Sequence, residues 1–207
     1  PKPVETKPIE TKPVQTPHPP IFVAASSVET HRNAGERGIG VLTFENYFGF
    51  DYLQECMDAY KAGLAEGKQM APRRTEHAGL YVASAFCAPT RKEAVEIARD
   101  VTLGYFKFIL DLYIPLGKRQ SYQYLDAKMS RLLDHENDMD FLINETPSVM
   151  VGTPDDFTAR LKRLKEMGVD EVLLRIDGVP HEHIMRSIEL IGAEVIPNFA
   201  DQKDKAA

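Results

Sequence analysis

Apolar and polar positions come in blocks along this chain, and each block has the length and period of one structural element. Ile21–Ala25 is a short apolar, β-rich run of the kind buried on both faces of a sheet. Val28–Arg37 follows with helical character and Ser27 in the N-cap position, and Gly38 and Gly40 close it before a second strand, Val41–Phe44. Phe50–Ala65 places Tyr52, Leu53, Met57, Tyr60 and Leu64 on one helical face. After the polar connection Gly67 to Arg74, Gly79–Cys87 reads as one strand covered on both sides. Thr90–Asp111 predicts a long helix, opened by Thr90 and Glu93 in capping-box spacing and broken by Pro115 and Gly117. Tyr122–Asn144 predicts irregular helix and carries the acidic run Asp134–Asp140.

The last third is sharper. Met150–Gly152 is a short apolar stretch. Thr153 caps a helix running from Pro154 to Met167, with Asp155 and Asp156 in its first turn, and Gly168 stops it. Glu171–Ile176 predicts a strand, Asp177-Gly178 a turn, and Pro180–Val195 a final helix ended by Pro197. Strands and helices alternate, which predicts an α/β fold with a parallel sheet. The strands lie near Ile21, Val41, Leu80 and Val172. A complete (β/α)8 barrel needs eight strands and about 250 residues, so four strands amount to a partial TIM (β/α)8 barrel.

Composition narrows the setting. The 207 residues, 43% of them hydrophobic, suffice for one sizeable core. A formal charge of −6 argues against nucleic acid as a partner, because that role needs a clustered basic surface. Cys56 and Cys87 are too few for a disulfide scaffold or a cysteine-rich zinc site and fit a reduced, cytoplasmic environment. No apolar run reaches membrane-spanning length, and the start lacks the layout of a signal peptide, so no membrane partner is expected. Lys2–Thr16 comprises the tandem pentamers KPVET, KPIET and KPVQT, whose regular prolines favour extended chain. The expected organisation is a Pro-rich leader over residues 1–16, a barrel domain over 17–200 and a polar tail over 201–207.

Candidate chemistry gathers where strands end. Ser26 and Ser27 follow the first strand and precede a helix, whose unpaired amides and dipole suit a phosphate; the same serines equally suit plain helix capping. Arg175 and Asp177 lie at the carboxyl end of the last strand, the end where TIM barrels keep their chemistry, and read either as ligand contacts or as an internal ion pair. His181 and His183 are two apart on a helix start and so point in different directions; with the acidic run lacking a calcium-loop glycine, no metal site is expected. His77 falls at the amino end of its strand, and Cys87 reads as a buried structural thiol.

KPVQTPHPPIFVAASSVET, AGERGIGVL and GTPDDFTARLKRLKEMGVDEVLLRIDGVPHEHIMRSIELIGAEVIPNF, taken in this order, resemble the carboxyl half of a bacterial luciferase-like flavin monooxygenase. The resemblance spans about Lys12 to Phe199 and is loosest through Thr102–Pro147. It implies that this chain supplies the fifth to eighth strands of a TIM barrel. It further implies binding of reduced FMN, or in one branch the deazaflavin F420, at the carboxyl ends of the strands, and use of molecular oxygen to oxidise a small organic substrate. Matched onto this sequence, the small-residue turn that holds the flavin phosphate is Ser26 and Ser27 with the backbone at Ala25 and Val28, while Arg175 and Asp177, placed by their strand end alone, stay either flavin or substrate contacts or an internal ion pair. The family's catalytic histidine lies on the first strands, so the resemblance assigns no catalytic residue here. It implies as partner a complementary amino-half chain or a second copy. The loop Asp177-Gly178-Val179 before PHE is shorter than the glycine-containing loop usual in relatives.

Overall fold

The structure, a computed structural model, describes residues 14–67, 73–119 and 123–200. Most of the proline-rich leader and the polar tail lie outside these residues. The elements in order are β1 (Phe22–Ala25), α1 (Val28–Arg37), β2 (Gly40–Thr43), α2 (Phe50–Glu66), β3 (Ala78–Val82), β4 (Ser84–Cys87), α3 (Arg91–Gly117), α4 (Gln123–Leu133), α5 (Met139–Glu145), β5 (Val149–Gly152), α6 (Pro154–Met167), β6 (Glu171–Leu174) and α7 (His181–Leu190).

Four strands form one parallel sheet in the order β1-β2-β3-β6, with Phe22 beside Gly40, Leu42 beside Gly79 and Gly79 beside Glu171. Side chains alternate across it. Ala25, Val41, Leu80 and Val82 face outward into a core shared with Leu53, Met57, Tyr60, Phe157 and Leu164 of the covering helices. The opposite face carries Phe22, Leu42, Phe44, Tyr81 and Leu173. Phe22 is 45% exposed and Leu173 38% exposed, although both are apolar. Among the described residues both edge strands, β1 and β6, are paired on one side only. An arc of four parallel strands with helices outside and apolar side chains within is the wall of a partial TIM barrel.

The stretch read as one strand, Gly79–Cys87, is two. It bends at Ala83: β3 stays in the main sheet, whereas β4 leaves it to pair in parallel with β5, Ser84 beside Val149 and Cys87 beside Gly152. Six strands are therefore present among the described residues. The backbone of Arg175 bridges the bend, its N–H donating to Val82 O at 3.1 Å and its carbonyl accepting from Ala85 N at 3.0 Å. A second core, with Phe86, Phe106, Leu110, Leu125, Leu142 and Val149, forms between this strand pair and helices α3 to α5.

Two helix boundaries differ from the pattern-based reading. Pro115 does not stop α3, which runs on to Gly117. The amide lost at Pro115 would have bonded the carbonyl of Asp111, an exposed residue whose carbonyl water can reach, so the interruption costs little. The final helix ends as α-helix at Leu190, continues as a π turn over Ile191–Val195 and closes in a 3-10 turn at Ile196–Asn198, because Pro197 has no N–H to give to Ala193. The acidic run forms the α4–α5 connection, where Asp138 caps α5 by accepting from Phe141 N at 2.9 Å. Elsewhere the caps match the residues: Thr90 accepts from Glu93 N, and Thr153 and Asp156 form a reciprocal capping box. No helix among the described residues is long and apolar enough to cross a membrane.

Candidate functional site

The parallel sheet brings the carboxyl ends of its strands to one side, and the sequence-derived candidates gather there. Ala25 closes β1 and is buried, its carbonyl accepting from Phe44 N at 3.0 Å. Ser26 and Ser27 form the turn, and Val28 opens α1. Ser27 is the N-cap: its Oγ accepts from Thr30 N at 3.2 Å and lies 2.9 Å from Thr30 Oγ1. The carbonyl of Ser26 accepts from Tyr52 Oη at 2.9 Å, which fixes the turn against α2. A helix start leaves its first amides without partners inside the helix, and these stand at the strand's end.

His31, absent from the sequence-based candidates, ties this turn to β2. It is completely buried, with Nδ1 2.8 Å from Ser27 O and Nε2 2.9 Å from Thr43 Oγ1. A carbonyl only accepts, so Nδ1 carries the proton and Nε2 accepts from Thr43. Burial holds the ring's pKa below its ordinary 6.5 and keeps it neutral. The unfolded chain therefore takes up a proton below pH 6.5 that the folded one refuses, so this group weakens the fold as pH falls. His31→Asn retains a donor for Ser27 and removes the acceptor for Thr43. It is expected to cost about 1 kcal/mol at pH 7.5 and to flatten the acid limb of the urea-unfolding profile.

At the end of β2 the chain enters an unusual corner. Asn46 and Tyr47 both have left-handed backbone, φ 58° and 61°, a conformation uncommon for asparagine and rare for tyrosine. Such conformations persist only where surroundings over-determine them, and they concentrate at functional sites. Glu45 anchors the corner, its carboxylate accepting from Gly49 N at 3.1 Å and Ser148 N at 2.9 Å. It is completely buried, and burial raises its pKa to about 7 against these hydrogen bonds. Tyr47 packs its ring 4.7 Å from Phe106 and 5.8 Å from Phe44, which in turn lies 5.8 Å from Tyr81. The result is an aromatic wall at the strand ends, on the inner side of the sheet. The only sequence signal for it was an acid and aromatics directly after a strand.

Arg175 and Asp177 sit beyond β6. The guanidinium donates through Nε to Asp177 at 2.8 Å and through an Nη to Ala83 O at 3.3 Å, and lies 4.0 Å over the Tyr105 ring. The two residues are thus paired with each other and locked to the strand bend. Cys87, at the end of β4, is buried with its thiol pushed up to about 12, and its amide donates to Ser187 Oγ at 2.8 Å. His77 lies at the opposite, amino end, 3.2 Å from Glu171 and edge-on to Phe22. His181 and His183 begin α7, and no group of three or more metal-ligand side chains occurs among the described residues.

The sequence profile of a family described as luciferase-like monooxygenase matches residues 3–171. The chain belongs to the luciferase-like monooxygenase family. Among curated proteins nothing matches it. Solved structures similar to this family member include the monooxygenase RslO1 from Streptomyces bottropensis, at 22% identity and TM-score 0.57, covering 90% of this chain and 50% of that one. Another is the oxygenating constituent of 3,6-diketocamphane monooxygenase from the CAM plasmid of Pseudomonas putida, in complex with FMN, at 21% identity and TM-score 0.60, covering 86% and 48%. A third is the coenzyme F420-dependent tetrahydromethanopterin reductase from Methanopyrus kandleri, at 21% identity and TM-score 0.55, covering 87% and 51%. At these identities the likeness shows the fold. This luciferase-like chain spans about half the length of the solved relatives it matches.

Proposed function

We propose that this luciferase-like chain is the carboxyl half of a flavin-dependent monooxygenase, holding reduced FMN at the strand ends and acting on a small organic substrate with O2. The coenzyme F420 is the alternative cofactor, since one structural relative is named for dependence on it. The observation that carries the reading is the β1–α1 turn in a chain of this family. Ala25, Ser26, Ser27 and Val28 place a helix start, whose first amides have no partner within the helix, at the carboxyl end of an edge strand. That donor chemistry fits a phosphate. Beside it, Phe44 and Tyr81, with the buried Tyr47 packed against Phe44, supply an aromatic, water-excluding wall suited to a flat ring system, and Arg175 and Asp177 border it. When bound, the reduced cofactor supplies the electrons that allow O2 to give one oxygen atom to the substrate and the other to water. The residues of this chain bind, orient and exclude water. The catalytic residue is assigned to the complementary amino half, whose strands would pair with β1 and β6 and cover Phe22 and Leu173.

A second reading, a non-catalytic half-barrel subunit, has its own support. Ser27 already caps α1, Glu29 already offers the helix start a negative charge, and Arg175 is already paired with Asp177.

Ser27→Asp separates the two. Aspartate keeps the cap but sets a carboxylate against the phosphate. In anaerobic titrations of the chain mixed with an amino half, the variant is expected to bind reduced FMN at least tenfold more weakly, roughly the value of one charged hydrogen bond, with riboflavin binding unchanged. Unchanged FMN affinity would leave Ser27 a cap alone. Tight FMN binding by the unmixed chain would remove the need for the amino half.

A further inference from the structure

We infer that a single ordered water is a built-in component of the strand-end region, bridging Ser84 and Thr102 beneath the loop that carries Arg175 and Asp177. A cavity of about 10 Å³ lies there, lined by Ser84 and Phe86 of β4, Ala98 and Thr102 of α3, and Arg175 and Asp177 beyond β6. One water needs on the order of 10–15 Å³ and two to four polar partners. The space is of the size that one such molecule fills.

The lining decides what fills it. Ser84 is 5% exposed and Thr102 1% exposed, and neither Ser84 Oγ nor Thr102 Oγ1 has a hydrogen-bond partner among the described residues. Each sits on a different element, and each hydroxyl can donate once and accept twice. A buried hydroxyl left unpaired is strongly disfavoured. Two of them lining one water-sized space are satisfied together by one molecule that donates to one and accepts from the other. Arg175, whose guanidinium carries five N–H groups and bonds Asp177 and Ala83 through two of them, lines the same space. An apolar occupant would leave both hydroxyls unpaired.

The position gives this water a consequence. Ser84 follows Ala83, whose carbonyl accepts from Arg175, and the backbone of Arg175 straddles the same bend. Thr102 lies in the long helix α3. The water therefore ties α3 to the joint between β3, β4 and β6, and so steadies Arg175 and Asp177 at the strand ends. Thr102 and Ser84 thereby anchor that loop, whether or not a flavin is bound there.

Thermal unfolding of Thr102→Val, Ser84→Ala and the double variant tests this, with a crystal structure resolving solvent. A bridge predicts that each single substitution lowers the midpoint, because it strands the other hydroxyl. Thr102→Ser, which keeps the hydroxyl, should stay near the parent, and the double variant should melt no lower than its less stable single parent. The crystal structure should show one water within hydrogen-bond distance of both oxygens. A Thr102→Val midpoint equal to or above the parent's would overturn the proposal, since a methyl relieves an unpaired hydroxyl in a dry site. Strictly additive losses in the double variant, or density showing both hydroxyls bonded to protein atoms, would overturn it equally.

Discussion

Gly35→Ala is expected to destabilise the protein by about 3 kcal/mol, at the upper end of what overpacking costs. Helix propensity alone predicts the opposite sign, a gain of about 1 kcal/mol for alanine in a helix interior. The reversal comes from the crossing of α1 and α2. A Cβ on Gly35 would overlap the carbonyl oxygen of Tyr60 and lie 2.8 Å from Leu64 N. The approach is reciprocal, since a Cβ on Gly63 would overlap Arg32 O and lie 2.9 Å from Glu36 N. These obstacles are backbone atoms inside helices and cannot rotate aside. The helices would have to separate, drawing Ala34 away from the core it shares with Leu53, Met57 and Tyr60. Gly104 in α3 is the internal control: it is exposed, and its Cβ would meet nothing within 4 Å. Urea midpoints should fall steeply for Gly35→Ala and Gly63→Ala and rise slightly for Gly104→Ala. A Gly35→Ala variant as stable as the parent would mean that the two helices do not touch through these glycines.

Glu45→Gln is expected to abolish a pH dependence worth about 3 kcal/mol. The folded carboxyl titrates near 7 instead of 4.5, and each pH unit of that difference is worth about 1.36 kcal/mol. Below pH 4.5 the acid is protonated folded or unfolded and contributes nothing. Between 4.5 and 7 the unfolded chain releases a proton that the folded chain keeps, so stability falls as pH rises, and the loss is complete above 7. The neighbouring Arg160, held below its usual pKa by burial to about 10, stays charged throughout this window. Glutamine removes the titration but offers only one acceptor to the amides of Gly49 and Ser148, a loss of about 1 kcal/mol at every pH. Stability curves of parent and variant should therefore cross a little above pH ~5, the parent being more stable near pH ~4 and the variant near pH ~8. His31 slopes the other way over part of the range but is common to both proteins, so it cancels in the difference. Parallel curves would mean that Glu45 is ordinary and exposed to solvent.

What could be read in advance followed from local rules. The α6 boundaries, Pro154 to Met167, came from a threonine cap, two acids in the first turn and a glycine stop, signals carried by adjacent residues. The β1–α1 turn was legible for the same reason, as were the parallel strands near Ile21, Val41, Leu80 and Val172. Gly79–Cys87 reads as one strand because both halves are apolar, and an apolar run does not say which neighbour it pairs with; the structure divides it into β3 and β4. The bend at Ala83 depends on Arg175, 92 positions away. Glu45, Tyr47 and His31 escaped notice because a lone acid, ring or imidazole has no period.

From sequence alone, then, come the alternation of elements, their caps and stops, and the resemblance that the family match supports, because each rests on neighbouring residues or an ordered motif. Tertiary structure alone decided which glycines are contacts rather than weak points, which carboxyl titrates near neutrality, and that Arg175 faces Asp177, Ala83 and Tyr105 together. Those properties depend on burial and on distances between residues far apart in the chain, and a linear order of residues encodes neither until the chain is folded.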